Sequence, residues 1–159
     1  VHQHVNPLSP YYRQEPEPID ISAVFADPTR PLLLDIGCAH GRFLLKMAEV
    51  DPAWNYLGVE IREPLVDEAN RLAEDAGLVN LHYAFCNPML WIDRLIAKIP
   101  DGALRAVTIQ FPDPWFKKRH AKRRMRLRLP WRKLTCHTQD RHSLVNTAMQ
   151  PRCRPIGCP

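Results

Sequence analysis

Two kinds of apolar spacing alternate along the chain. Leu32-Leu33-Leu34-Asp35-Ile36 is a short, nearly continuous apolar run ending at Gly37, the pattern of a strand buried on both faces. Beyond the loop Gly37 to Gly41, Phe43, Leu44, Met47 and Ala48 fall at helical spacing until Asp51-Pro52 stops them. The plan then repeats. Asn55 to Ile61 predicts a second strand, Pro64 to Ala76 an amphipathic helix stopped by Gly77, and Leu81 to Phe85 a third strand. Asp93 to Ile99 falls in a third helix closed by Pro100-Asp101-Gly102, and Arg105 to Phe111, rich in β-branched residues, predicts a fourth strand. Strands alternating with helices imply an α/β class with a parallel sheet. Residues 1–30 are interrupted by Pro7, Pro10, Pro16, Pro18 and Pro28 and read as an arm or lid, with a short turn at Ile21 to Ala26. After Phe116 the periodicity ceases.

Composition narrows the class. With 159 residues the expectation is one domain, and 45% hydrophobic against 25% charged residues is enough apolar material for a packed core. No apolar run approaches the roughly 18 residues of a membrane span, and Val1 to Pro10 has no charged-then-apolar leader, so neither a membrane partner nor secretion is expected. The five cysteines are odd in number, and Cys38 and Cys86 lie in separate apolar segments, which favours a reduced, cytoplasmic protein. The net charge of +5 conceals a division: Val1 to Phe116 carries 9 Lys/Arg against 16 Asp/Glu, whereas Lys117 to Pro159 carries 13 against 1. An acidic body with a basic end points to a polyanionic partner, nucleic acid first.

The first strand opens into Asp35-Ile36-Gly37-Cys38-Ala39-His40-Gly41, whose glycines allow a sharp turn and close approach of a ligand to the backbone. A dinucleotide fingerprint would read G-x-G-x-x-G. Here Gly37 and Gly41 are separated by three residues and an acid precedes them, which disfavours a pyrophosphate and a nicotinamide dehydrogenase and favours a cofactor with an ammonium group. A plain strand-to-helix turn is the alternative. Glu60, at the end of the second strand, suits the two hydroxyls of a ribose, or is a solvated strand-end acid. Asn87, after the third strand, offers a donor and an acceptor to a base edge, or is a turn residue before Pro88. The strongest signal is Gln110-Phe111-Pro112-Asp113-Pro114-Trp115-Phe116-Lys117-Lys118-Arg119-His120, followed by Lys122-Arg123-Arg124. Two prolines fix Asp113 just past a strand end, where α/β sheets bind ligands, and the adjoining basic run can grip phosphates beside Trp115.

On these residues the chain resembles the bacterial tRNA (guanine-N7-)-methyltransferases over about residues 1–125, and the Phe-Pro-Asp-Pro-Trp-x-Lys-Lys-Arg-His-x-Lys-Arg-Arg stretch is specific to that family. The resemblance implies a Rossmann-like class I methyltransferase fold, S-adenosyl-L-methionine as cofactor, and methylation of guanine N7 in the tRNA variable loop. It assigns Asp35, Gly37, Gly41, Glu60, Asn87 and Asp113 to the cofactor, Asp113 also to catalysis, Lys117 to substrate, and Arg119, His120, Lys122, Arg123 and Arg124 to RNA. It implies three divisions: an arm over 1–30, a cofactor-binding half over 31–125 that holds the first four strands of a seven-stranded sheet, and an irregular basic tail over 126–159. That tail reads as translation in a shifted frame, ahead of a basic extension and of a zinc knot built on Cys136, His137, His142, Cys153 and Cys158. The chain as written is accordingly expected to fold poorly, as a monomer with impaired activity, the alternative being a non-catalytic RNA-binding remnant.

Overall fold

The computed structural model describes residues 5–110. A short 3₁₀ turn at Pro10–Arg13 and a one-turn helix α1 (Ile21–Val24) precede the alternating units β1 (Leu32–Ile36), α2 (Arg42–Val50), β2 (Asn55–Glu60), α3 (Glu63–Asp75), β3 (Leu81–Phe85), α4 (Pro88–Leu95) and β4 (Leu104–Ile109). All neighbouring strands run parallel, in the order β3-β2-β1-β4. The parallel α/β class read from the sequence is therefore the one observed.

Strand alternation sorts the core into two layers. On one face, Leu32, Leu34 and Ile36 of β1 and Leu57 and Val59 of β2 meet Ile92 and Leu95 of α4 together with Ile21 and Phe25 from the chain before β1. On the other, Tyr56 and Tyr83 pack with Leu44 and Ala48 of α2 and with Val66, Ala69 and Ala73 of α3. The 3, 4 and 7 spacing of the three α3 residues is what turns them toward the sheet. Leu34, Ile36, Leu57 and Val59 are fully enclosed. β1 thus lies between two strands and two helical layers, which is why its sequence is apolar without interruption except at Asp35.

Two boundaries differ from the sequence reading. The third helix begins at Pro88 rather than near Asp93, because the Asn87 side chain accepts from the Met89 N–H (3.2 Å) and Pro88 occupies the first turn, where its missing N–H has no intrahelical partner to lose. It also ends at Leu95. Ile96 and Ile99, placed in the helix by their spacing, lie in the following turns and are buried there as anchors. The fourth strand starts one residue early, at the buried Leu104, with a register irregularity opposite Leu32/Leu33. Its expected end, Phe111, lies outside the described residues.

The segment before β1 is fastened along α4. Ile19 N–H donates to the Leu95 carbonyl (2.8 Å), Trp91 Nε1 to the Arg13 carbonyl (3.3 Å), and Arg94 pairs with Glu15 (2.7 Å). At its far end, Asn87 Nδ2 donates to the carbonyls of Pro7 (2.8 Å) and Tyr12 (3.2 Å). One buried amide therefore caps a helix and ties down the arm. Asn87→Ala is expected to cost about 1–2 kcal/mol in urea unfolding, from the lost cap and the two orphaned carbonyls. A change below about 0.3 kcal/mol would mean that water replaces the amide without loss. Among the described residues, no helix is long and apolar enough to cross a membrane.

Candidate functional site

The strand order sets where a ligand can sit. From β1 the chain proceeds outward to β2 and β3, then returns to place β4 on the other side of β1. The topology therefore reverses between β1 and β4, and the carboxyl ends of strands at such a switch point are the usual binding place, a crevice, in open α/β sheets. Asp35, the loop 37–41 and Gln110 lie at this end of the sheet, since Asp35 is in register with Thr108 and Ile36 with Ile109.

The loop is held by its backbone. Gly37 and Cys38 N–H groups both donate to the Val59 carbonyl (2.8 and 3.2 Å), and Gly41 N–H closes a turn on the Cys38 carbonyl (2.9 Å). Gly37 (φ 81°) and Gly41 (φ 67°) occupy the left-handed region, and so does Ala39 at φ 52°, an unfavourable conformation for a residue with a Cβ. What holds Ala39 there is its N–H bond to Glu60 Oε2 (2.9 Å).

Glu60 is 4% exposed and gathers five donors. Besides Ala39, its carboxylate accepts from the backbone N–H groups of Ile61 (3.0 Å) and Arg62 (3.1 Å) and from Arg62 Nε (2.9 Å) and Nη2 (3.4 Å). Asp35 is different. It is 2% exposed, accepts from Thr108 Oγ1 (2.7 Å), and among the described residues no Lys or Arg is paired with it. Burial pushes its carboxyl above the usual carboxylate range, opposed by hydrogen bonding from Thr108 and Gln110. Cys38, half-buried near these acids, has its thiol pushed strongly upward by burial and by the charges of Asp35 and Glu60, which favours the protonated form.

The structure therefore brings together Asp35, Gly37, Gly41 and Glu60, with Asn87 at the end of β3, where its side chain is engaged by the arm and by α4. Asp113, Lys117, Arg119, His120, Lys122, Arg123 and Arg124 lie outside the described residues; Asp113 follows Gln110 by three positions. Sequence reasoning missed Thr108, Arg62 and Tyr83. Thr108 was legible only through strand register, and Arg62 only through its nearness to Glu60. Among the described residues, no group of three or more His, Cys, Asp or Glu side chains is arranged to hold a metal ion.

A buried carboxylate at the switch point with no Lys or Arg paired to it among the described residues, a glycine loop with left-handed backbone and a second acid on the next strand suit an α/β domain for a nucleoside cofactor bearing a cation. Residues 29–132 match the family Methyltransf_4, described as "Putative methyltransferase", and the chain belongs to that family. It is 56% identical over 125 residues to the tRNA (guanine-N(7)-)-methyltransferase of Trichormus variabilis, covering 79% of this chain and 58% of the relative. It is 58% identical over 125 residues to that of Synechococcus elongatus, covering 79% and 59%. The chain thus spans less than two thirds of the length of these curated relatives. Among solved structures, M. capricolum TrmK in complex with S-adenosyl-homocysteine is 16% identical with a TM-score of 0.42, covering 56% of this chain and 37% of that one.

The family's cofactor is S-adenosyl-L-methionine, and the residues present fit it. Its ammonium group would supply a cation to Asp35, with which no Lys or Arg is paired among the described residues, and its ribose would offer hydroxyls to Glu60.

Proposed function

We propose that this chain carries the cofactor-binding part of an S-adenosyl-L-methionine-dependent enzyme that methylates N7 of guanine in the variable loop of tRNA. The observation that carries this reading is the buried Asp35 at the switch point, with no Lys or Arg paired to it among the described residues, beside a loop that Glu60 holds in place. The match to relatives named for this reaction supports it.

When bound, the cofactor supplies an electrophilic methyl group on a sulfonium. Guanine N7 already has a free lone pair, so the protein has no need of a strong general base and its task is alignment, with reacting atoms about 3–3.5 Å apart. Asp35 takes the ammonium group and Glu60 the ribose. Asn87, just past the end of β3, is assigned to the adenine base, and Gly37 and Gly41 supply the left-handed backbone that turns the loop. Asp113 orients the guanine by accepting from the donors of its Watson–Crick edge. Lys117 and the run Arg119, His120, Lys122, Arg123 and Arg124 hold tRNA phosphates. In this reading the protein works in the cytoplasm.

Calorimetric titration of the 159-residue chain with S-adenosyl-homocysteine tests the reading. Saturable heat at one site is expected. No heat up to millimolar ligand, with tRNA still bound, identifies a non-catalytic RNA-binding remnant instead. Incubation with methyl-labelled cofactor and transcribed tRNA, followed by mass spectrometry of nuclease fragments, then locates any methyl group on N7 of the variable-loop guanine.

A further inference from the structure

Four residues lie in one cross-strand row on the α2/α3 face of the sheet: Thr108, Asp35, Gly58 and Tyr83, neighbours by register. Gly58 stands in the middle of a regular strand and does not have a positive φ, so its backbone does not require glycine. Space does. A Cβ there would lie 2.9 Å from Cys38 Sγ and 2.8 Å from Tyr83 Cε1, because the tyrosine ring leans across this position toward β1. Toward the ring's hydroxyl end is Gly41, where a Cβ would come within 2.5 Å of Cε1 and Cζ and 2.6 Å of the hydroxyl oxygen. The ring occupies a slot that two glycines leave open.

At the end of this slot the Tyr83 O–H donates to the Gly41 carbonyl (2.7 Å), the same oxygen that accepts from Leu45 N–H (2.9 Å) in the first turn of α2. Tyr83 is itself fixed from outside. Asn70 of α3 donates to its carbonyl (2.8 Å) and accepts from its N–H (2.9 Å), so the side chain of a packed helix satisfies the open edge of β3 at this residue. Burial raises the phenol above its ordinary value, so the hydroxyl remains a donor at any neutral pH.

We infer that Tyr83 is the positioning residue of the cofactor loop: a post that reaches across Gly58 from the third strand and sets where Gly41, and with it residues 37–41 and the start of α2, stands over the crevice. The inference rests on the cofactor-site reading above. It extends that site to a residue whose side chain is hydrogen-bonded to the Gly41 carbonyl rather than to Asp35 or Glu60 and gives Gly58 a reason to be glycine.

Tyr83→Phe keeps the ring in its slot and removes only the bond to Gly41. Amide hydrogen exchange at Gly41 and Leu45 in the variant is expected to rise about fivefold, with Leu34 and Leu57 in the sheet centre unchanged. The dissociation constant for S-adenosyl-homocysteine, measured well below the unfolding temperature, is expected to rise by a similar factor of about five. A merely structural tyrosine would shift exchange throughout the sheet and leave affinity alone. Unchanged exchange at Gly41 and Leu45 overturns the inference, and so does a loosened loop that binds the ligand with parental affinity. If the parent chain binds no S-adenosyl-homocysteine, the cofactor reading falls, while the exchange comparison still decides whether Tyr83 sets the loop.

Discussion

Glu60→Gln is expected to lower the stability of the chain by about 3 kcal/mol, although the two side chains have nearly the same shape. The buried carboxylate accepts from five donors, three on Oε1 and two on Oε2. An amide has one acceptor end. If its oxygen takes the side that serves Ile61, Arg62 N–H and Arg62 Nε, its NH₂ faces Ala39 N–H and Arg62 Nη2; the reverse orientation is worse by one donor. Either way a donor is set against donors, and the guanidinium of Arg62, 28% exposed, loses the charge of Glu60 beside it. The left-handed Ala39 loses its restraint in one of the two orientations. With a urea slope of about 2 kcal/mol/M, the midpoint should fall by about 1.5 M at neutral pH. A fall smaller than 0.3 M, on the order of the error in such midpoints, would show that the five-donor arrangement is not what fixes the loop.

Both this network and the crevice beside it were only partly legible in the sequence, and the reason is physical. A strand buried on both faces advertises itself by an apolar run, so β1 and β3 were located to the residue. Asp35 stood out because it interrupts such a run. The start of α4 did not, because it depends on a side-chain cap by Asn87 and a permissible proline, and Asn-Pro in sequence equally suits a turn. Glu60 could be proposed for a ribose from its place at a strand end, whereas its grip on Ala39 required knowing that the loop folds back over β2. Tyr83 carried no chemical signal of its own. The available clue was indirect: a glycine inside a strand pattern marks a close approach, and Gly58 was that clue. Contacts across strands 25 residues apart depend on register, which hydrophobic periodicity constrains by face but does not assign to partners.

Asp35→Asn is expected to move stability and binding in opposite directions. In the free protein the carboxyl is held above its ordinary value of 3.8, chiefly by burial. Below 3.8 the group is protonated whether the chain is folded or not and contributes nothing to pH dependence. As pH rises through 3.8 the unfolded chain releases its proton first, so stability falls, and it goes on falling until Asp35 ionises in the folded state. Above that raised value the loss is complete and constant. Once Asp35 has ionised in the folded state, the free protein bears an unfavourable buried anion, which asparagine removes while its carbonyl still accepts from Thr108. The variant should be more stable than the parent at neutral pH, and its stability should lack the parent's decline above 3.8. Binding responds the other way, because the cofactor's ammonium group needs that anion. The dissociation constant for S-adenosyl-homocysteine should rise about 100-fold, and in the parent it should rise as pH is lowered through the raised Asp35 value. Two measurements separate the ideas. A variant that binds within about threefold of the parent shows that the ammonium group, whose charge pair should be worth far more, is held elsewhere. A variant less stable than the parent at neutral pH shows that the bonds from Thr108 and Gln110 outweigh burial. The combination of greater stability and lost affinity is what marks a residue held in an unfavourable state for a ligand's sake.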